Sequence, residues 1–261
     1  MFTTIAIIGT GNIGTWLLKA LLNQEHLTVF AISGRKIEAL PTGCDLYIFA
    51  LKDDVYEDVL KQIPFKMPQV LHTSGSLSQN ILAPYSDNFG VIYPYQTITE
   101  NKMIAASSQP PFLAPICIEG CSSEFTATLF QWANTVFEVV CKINEQQRFA
   151  MHLAAVFASN FTNAMYGIAY QIFKENYLEW SLIFPLLENT LEKAKQNNPT
   201  LVQTGPAMRN DITIMKKHCD ILNDDELRNL YSILSVIIQK KSSLYKPIGT
   251  LSTCFSANKP L

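Results

Sequence analysis

The chain of 261 residues carries 20 Lys+Arg against 22 Asp+Glu, a net charge of −2, and is 48% hydrophobic but only 16% charged. A chain this apolar can offset its ordering entropy by burial, which excludes disorder, and near-neutral charge without a long basic run excludes a general nucleic-acid binder. The charge content lies below the roughly 25% of an average soluble domain and predicts surface hidden in a subunit interface.

The first half alternates strands and helices. Thr4–Ile8 is an apolar run ending in glycine, and residues 12–23 place Ile13, Trp16, Leu17, Ala20 and Leu21 at helical spacing. Strand candidates follow at 28–33, 45–51, 70–73, 90–93 and 112–119, with helical stretches at 37–40 and 53–62, Asp53 capping the latter. The continuous apolar run Asp45–Leu51 suits a parallel strand covered on both faces. The expected fold class is α/β, a Rossmann-type doubly wound parallel sheet followed by an all-helical domain.

After a last strand candidate at 139–143 the pattern turns helical, with helices expected at 145–176, 181–195, 211–219 and 224–241 and an irregular tail of about fifteen residues. The expected domains are 1–143, binding a dinucleotide, and 144–261, binding substrate and dimerising. Phe149–Phe173 has no formal charge and is long enough to span a bilayer. Its polar residues, among them His152, Ser159, Asn160 and Asn163, would need partners in lipid, so a buried helix of a cytoplasmic protein without a membrane span is expected. The six cysteines form no zinc set, so no metal is expected and the thiols read as buried or idle. No basic segment precedes the first apolar run, so no secretory leader is expected.

Gly9-Thr10-Gly11-Asn12-Ile13-Gly14 is G-x-G-x-x-G set between a strand and a helix. The first glycine permits the tight turn, the second lets the backbone approach a pyrophosphate, and the third lets the helix lie close to the sheet. At the end of the second strand an NAD site would carry an acid. This chain has Ser33-Gly34-Arg35-Lys36, whose hydroxyl and guanidinium suit the 2′-phosphate of NADP(H). The missing acid also argues against a methyltransferase. Ala50, Leu51, Lys52 and Ser74, at the carboxyl edge of the sheet, complete the expected cofactor contacts.

In the long helix, at 100° per residue, Ser159 falls about −20° and Asn163 about +20° from His152, with Asn160 about 80° round. This stripe is predicted either to bond neighbouring helices or a second copy of the chain, or to face a ligand, with His152 as acid or base and Ser159 and Asn160 holding the reacting oxygen or nitrogen. The cluster Thr204–Asp211 offers Arg209 as a bidentate partner for a substrate carboxylate, or as a brace of the turn paired with Asp211 or another acid, and Asp211 as a helix cap or substrate contact. Gly75, Tyr93 and Gln96, in two loops at the sheet edge, join Asn163 as substrate candidates. His72 reads as readily as a packed strand residue.

GTGNIG at 9–14, HTSGS at 72–76, YPYQT at 93–97, HLAAVFASNF at 152–161 and TGPAMRND at 204–211 resemble, in that order, the motifs of NADP oxidoreductases. These pair a Rossmann-like domain with a helical domain of unknown function. The resemblance covers nearly the whole chain, and the wider group is similar to pyrroline-carboxylate reductase and 6-phosphogluconate dehydrogenase. It implies NADP-dependent reduction of a carbonyl or imine, or the reverse, and a homodimer formed through the helical domain. Position 93 is Tyr where relatives often have His, and position 210 is Asn where Gly is common. Hydroxyacid dehydrogenases of the wider group use a Lys on the long helix; here His152 would take its place. Two other functions fit the sequence: a dinucleotide sensor without turnover, and a reductase passing hydride between NADP and a deazaflavin.

Overall fold

The structure, a computed structural model, describes residues 2–98 and 114–240. The first two residues of the strand expected at 112–119 and the expected tail lie outside them. Two compact units divide between Met165 and Tyr166. The turn to purely helical structure comes earlier, at Glu145, close to the boundary that composition suggests.

In the first unit, seven strands form one sheet: β1 (Thr4–Ile8), β2 (Thr28–Ile32), β3 (Leu46–Phe49), β4 (Val70–His72), β5 (Phe89–Pro94), β6 (Ile116–Gly120) and β7 (Val140–Lys142), in the order β2-β1-β3-β4-β5-β6-β7. The first five are parallel, but β6 runs antiparallel to β5 and β7 follows β6. The expected doubly wound parallel sheet is present, with one antiparallel pairing between β5 and β6.

Period-two alternation sorts each strand's side chains between two cores. Ile5, Ile7, Leu46 and Ile48 pack with Trp16 and Leu17 of helix α1 (Asn12–Leu22) and with Phe125, Leu129 and Trp132 of helix α3 (Ser123–Val136). Ala6, Ile8, Tyr47 and Phe49 pack on the other face with Tyr56 and Leu60 of helix α2 (Tyr56–Leu60). Both faces of β3 are covered, which is why its sequence is apolar throughout. Asp53 caps no helix; the turn at Asp53–Val55 starts from Lys52, and the Asp53 carboxylate instead accepts the Ser76 hydroxyl.

The expected single helix over 145–176 is three pieces: α4 (Glu145–Ala155), a π-helical segment (Val156–Phe161) and α5 (Thr162–Glu175). A capping box between Asn144 and Gln147 starts α4. The wider π turn breaks the 100° spacing between His152 and the residues beyond it. Nor is the run buried within the chain, since Phe157 is 62% exposed. No described helix is long and apolar enough to cross a membrane.

The second unit continues with α6 (Phe184–Gln196), α7 (Ile212–Ile221) and α8 (Asp225–Gln239). Trp180 packs edge-on to Tyr170, Phe173 and Phe184. Asp211 and Asp224 cap α7 and α8 through their carboxylates. Among its described residues only Ala207 and Ser235 are buried.

Candidate functional site

The chain order reverses beside β1, which lies between β2 and β3, so the carboxyl ends of β1 and β3 bound the crevice where such sheets bind ligands. The glycine motif sits at that edge. Gly9 has φ +116°, a conformation that disfavours other residues, and its N–H donates to Ile32 O at 2.8 Å. A Cβ on Gly14 would lie 1.8 Å from Gly9 O, so the third glycine is what lets α1 start against the turn. A Cβ on Gly11, by contrast, meets nothing within 4 Å among the described residues. Gly11 precedes α1 without a side-chain cap, so among the described residues no side chain occupies the cradle of N–H groups in its first turn, as an anion site requires. This fits a dinucleotide pyrophosphate.

Around the cradle Thr10 and Asn12 are exposed, Ile13 is half-buried, and Asn12 Nδ2 donates to Ile98 O. At the end of β2 Ser33 Oγ accepts from Arg35 N, and the Arg35 side chain is exposed without an ion pair among the described residues. Ala50 is buried against Gly9, Leu51 is half-buried and Lys52 exposed. Ser74 is buried; its Oγ accepts from Ser76 N and Leu77 N, shaping the loop after β4.

A second cluster forms within the same unit. Tyr93 OH lies 3.1 Å from His152 Nδ1, the rings edge to face. Burial, with Tyr95 and Cys117 beside it, pushes the Tyr93 phenol up to about 12, so it stays protonated. Gly75 backs the imidazole, where a Cβ would stand 2.7 Å from Nδ1. Ser159 Oγ and Thr97 Oγ1 are 2.7 Å apart, tying the π segment to the loop after β5. Asn160 and Asn163 are exposed, as is Gln96, whose N–H is held by Pro94 O. His72 is fully buried and accepts from Ser74 N; burial, then the charge of Arg148, push it down to about 3, so it is a neutral strand residue.

Sequence reasoning missed the pair beneath this cluster. Arg148 is fully buried, with Nε donating to Glu119 Oε2 at 3.1 Å and Nη1 to Ser74 O at 3.0 Å. Gln79 Nε2 shares the Glu119 carboxylate, which burial raises although Arg148 pulls it down. The available clue was Arg148 itself, a charge at the edge of a long uncharged run and four residues before His152.

In the second unit Arg209 is exposed and forms no ion pair among the described residues, so it does not brace Asp211, which caps α7 through Ile214 N. Asn210 has φ +54°, the left-handed conformation that glycine or asparagine adopts most readily.

Fold and cradle together define a Rossmann-type dinucleotide-binding protein with a helical extension. The family described as a domain of unknown function, DUF2520, matches residues 114–238, from just before β6 into α8. The "putative NADP oxidoreductase" of Bacteroides fragilis is 31% identical, the match covering 92% of this chain and 98% of that one, with a TM-score of 0.81. This chain belongs to that oxidoreductase family. A Thermotoga maritima protein (19% identity, 91% and 97% coverage, TM-score 0.64) and the 1-pyrroline-5-carboxylate reductase of Streptococcus pyogenes (17%, 91% and 97%, 0.56) share the fold. No curated protein matches the sequence.

Proposed function

We propose that the protein is an NADP(H)-dependent oxidoreductase acting on a small, acidic carbonyl or imine compound. The observation that carries this reading is the Tyr93–His152 pair in the same unit as the open glycine cradle. The first-turn N–H groups of α1 would hold the pyrophosphate, and Ser33 and Arg35 the 2′-phosphate that distinguishes NADP. When bound, NADPH supplies the hydride. His152 manages the proton at Nε2 while Nδ1 stays bonded to the Tyr93 hydroxyl, which, kept protonated, donates to a bare Nδ1 or accepts from Nδ1–H. An imidazolium that gives up its Nε2 proton keeps the other on Nδ1 and donates it to the Tyr93 oxygen, so the phenol accommodates both states. Ser159 and Asn160 orient the reacting group. The acidic-substrate part rests on chemistry within the second unit alone, where Arg209 is an exposed guanidinium that suits a carboxylate.

The test is NADPH oxidation across a panel of keto acids and cyclic imino acids, with His152→Gln alongside. The reading expects at least one substrate, a preference for NADPH over NADH, and a loss of about 10²–10⁴ in turnover in the variant. Tight NADPH binding with no turnover on any compound favours a dinucleotide sensor.

The partner proposed is a second copy of the chain, joined through the helical unit. Leu186, at 61% exposure, Leu191 and Ile221 are among the apolar side chains that this unit leaves open. Such surface is expected at an interface. Sedimentation equilibrium is expected to show a dimer of the 29.3 kDa chain, and monomer alone at micromolar concentration overturns it.

A further inference from the structure

With His152 read as the proton carrier, one buried charged group has no assigned part. Arg148 stands one helical turn before His152 on α4 and is sealed from solvent. A buried ion pair is a weak source of stability, because apolar side chains of equal volume serve as well. Its distinctive contribution is direction, and Arg148 directs two groups at once: Nε is fixed on Glu119 of β6, and Nη1 holds Ser74 O in the loop after β4.

The next residue in that loop is Gly75, which lies against the His152 ring. The far end of the loop is tied down separately, by Ser78 Oγ donating to Glu145 Oε2 at 2.7 Å and by Gln79 on Glu119. Glu145, Arg148 and His152 thus meet one loop from one face of α4, at i, i+3 and i+7. Release of Ser74 would let the Gly75 backbone withdraw. The imidazole, whose χ2 well is broad, would then have room to turn away from Tyr93.

Resting on that reading of His152, we infer that Arg148 is a positioning residue. It fixes the Ser74–Gly75 backbone as the wall behind the imidazole and so commits Nδ1 to Tyr93 and Nε2 to the substrate. Arg148 touches no reacting atom in this role.

The test is the imidazole ¹⁵N spectrum of the full-length protein. The His152 resonances are assigned by their loss in His152→Gln, and Tyr93→Phe gives the pattern of an untethered ring. The double variant Glu119→Leu/Arg148→Met removes both charges together and leaves neither buried alone. Wild type is expected to show an Nδ1 resonance displaced by its hydrogen bond to Tyr93, and the double variant an Nδ1 resonance close to that of Tyr93→Phe. A double variant that keeps the wild-type His152 spectrum overturns the inference, whatever happens to its melting temperature. If that variant does not fold, Arg148→Lys carries the test, since it keeps the charge beside Glu119 but loses the planar fork that reaches Ser74. A spectrum close to that of Tyr93→Phe supports the inference and the wild-type pattern overturns it. The proton-carrier reading fails by a different observation, unchanged turnover in His152→Gln, which leaves the spectra as they are.

Discussion

The two units of the chain solve the burial problem differently. In the first, Ile5, Ile7, Ile8, Leu46, Ile48 and Leu71 are wholly removed from solvent, and both sheet faces have covering helices from the same unit. In the second, only Ala207 and Ser235 are buried among the described residues, while Leu182, Leu186, Leu191 and Ile221 are more than half exposed. The parallel sheet brings its own cover because each crossover returns across a face. Amphipathic helices carry no such guarantee, so the second unit leaves apolar surface exposed.

A pair of truncations breaks or sharpens this contrast. Ile48→Ala empties space in a closed core and is expected to cost about 2–5 kcal/mol by urea unfolding. Leu186→Ala is expected to cost about 1.5–3 kcal/mol if a second copy covers α6, and to weaken the dimer in sedimentation. A change within about 0.5 kcal/mol would mean that α6 faces water and that the contrast lies within one folded monomer.

The next comparison sits inside the glycine corner. Gly14→Ala forces a Cβ onto Gly9 O and is expected to lower both melting temperature and NADPH affinity. Gly11→Ala meets open space at φ −75°, so stability should hold while affinity in calorimetry falls about tenfold, near 1.4 kcal/mol. Equal melting losses in the two variants would deny that Gly11 is kept open for a ligand.

Arg35→Ala is expected to remove about 1.5–3 kcal/mol of NADPH affinity, the range of a hydrogen bond to a charged group, and to leave NADH affinity alone. Equal affinities for the two cofactors in the parent protein would end the NADP reading.

The smallest effect expected is electrostatic and confined to the first unit. Asp45 accepts from Thr3 N, Thr4 N and the Thr3 hydroxyl, which hold its carboxyl below the usual carboxylate range. The unfolded chain therefore binds this proton first as pH falls, so the contribution is full above the unfolded value and fades as pH drops through the folded one. Asp45→Ala should destabilise at pH 7, and the gap to wild type in urea midpoint should narrow in acid. A gap independent of pH would assign Asp45 a role other than its charge.

Much of this molecule is determined by the sequence alone, and those parts are local. The G-x-G-x-x-G turn is legible because Gly9 needs a left-handed backbone and Gly14 needs the absence of a side chain, conditions set within six residues. The β1 run, the doubly covered β3 and the Asp211 cap follow likewise from periodicity and capping chemistry. Helix α3 has such a signature too, Ser122 ahead of Phe125, Leu129, Trp132 and Ala133, which a reading centred on strands passes over. The tertiary structure alone decided the rest. Reversal of β6 depends on which strand edge is free, which no period in the chain records. Tyr93 and His152 meet across 59 residues, and Arg148 reaches Ser74 O across 74. The π turn shifts the phase of every side chain after Ala155, which no constant angle per residue records. Spacing along a chain fixes direction only while the backbone repeats; beyond that, packing sets which side chains meet.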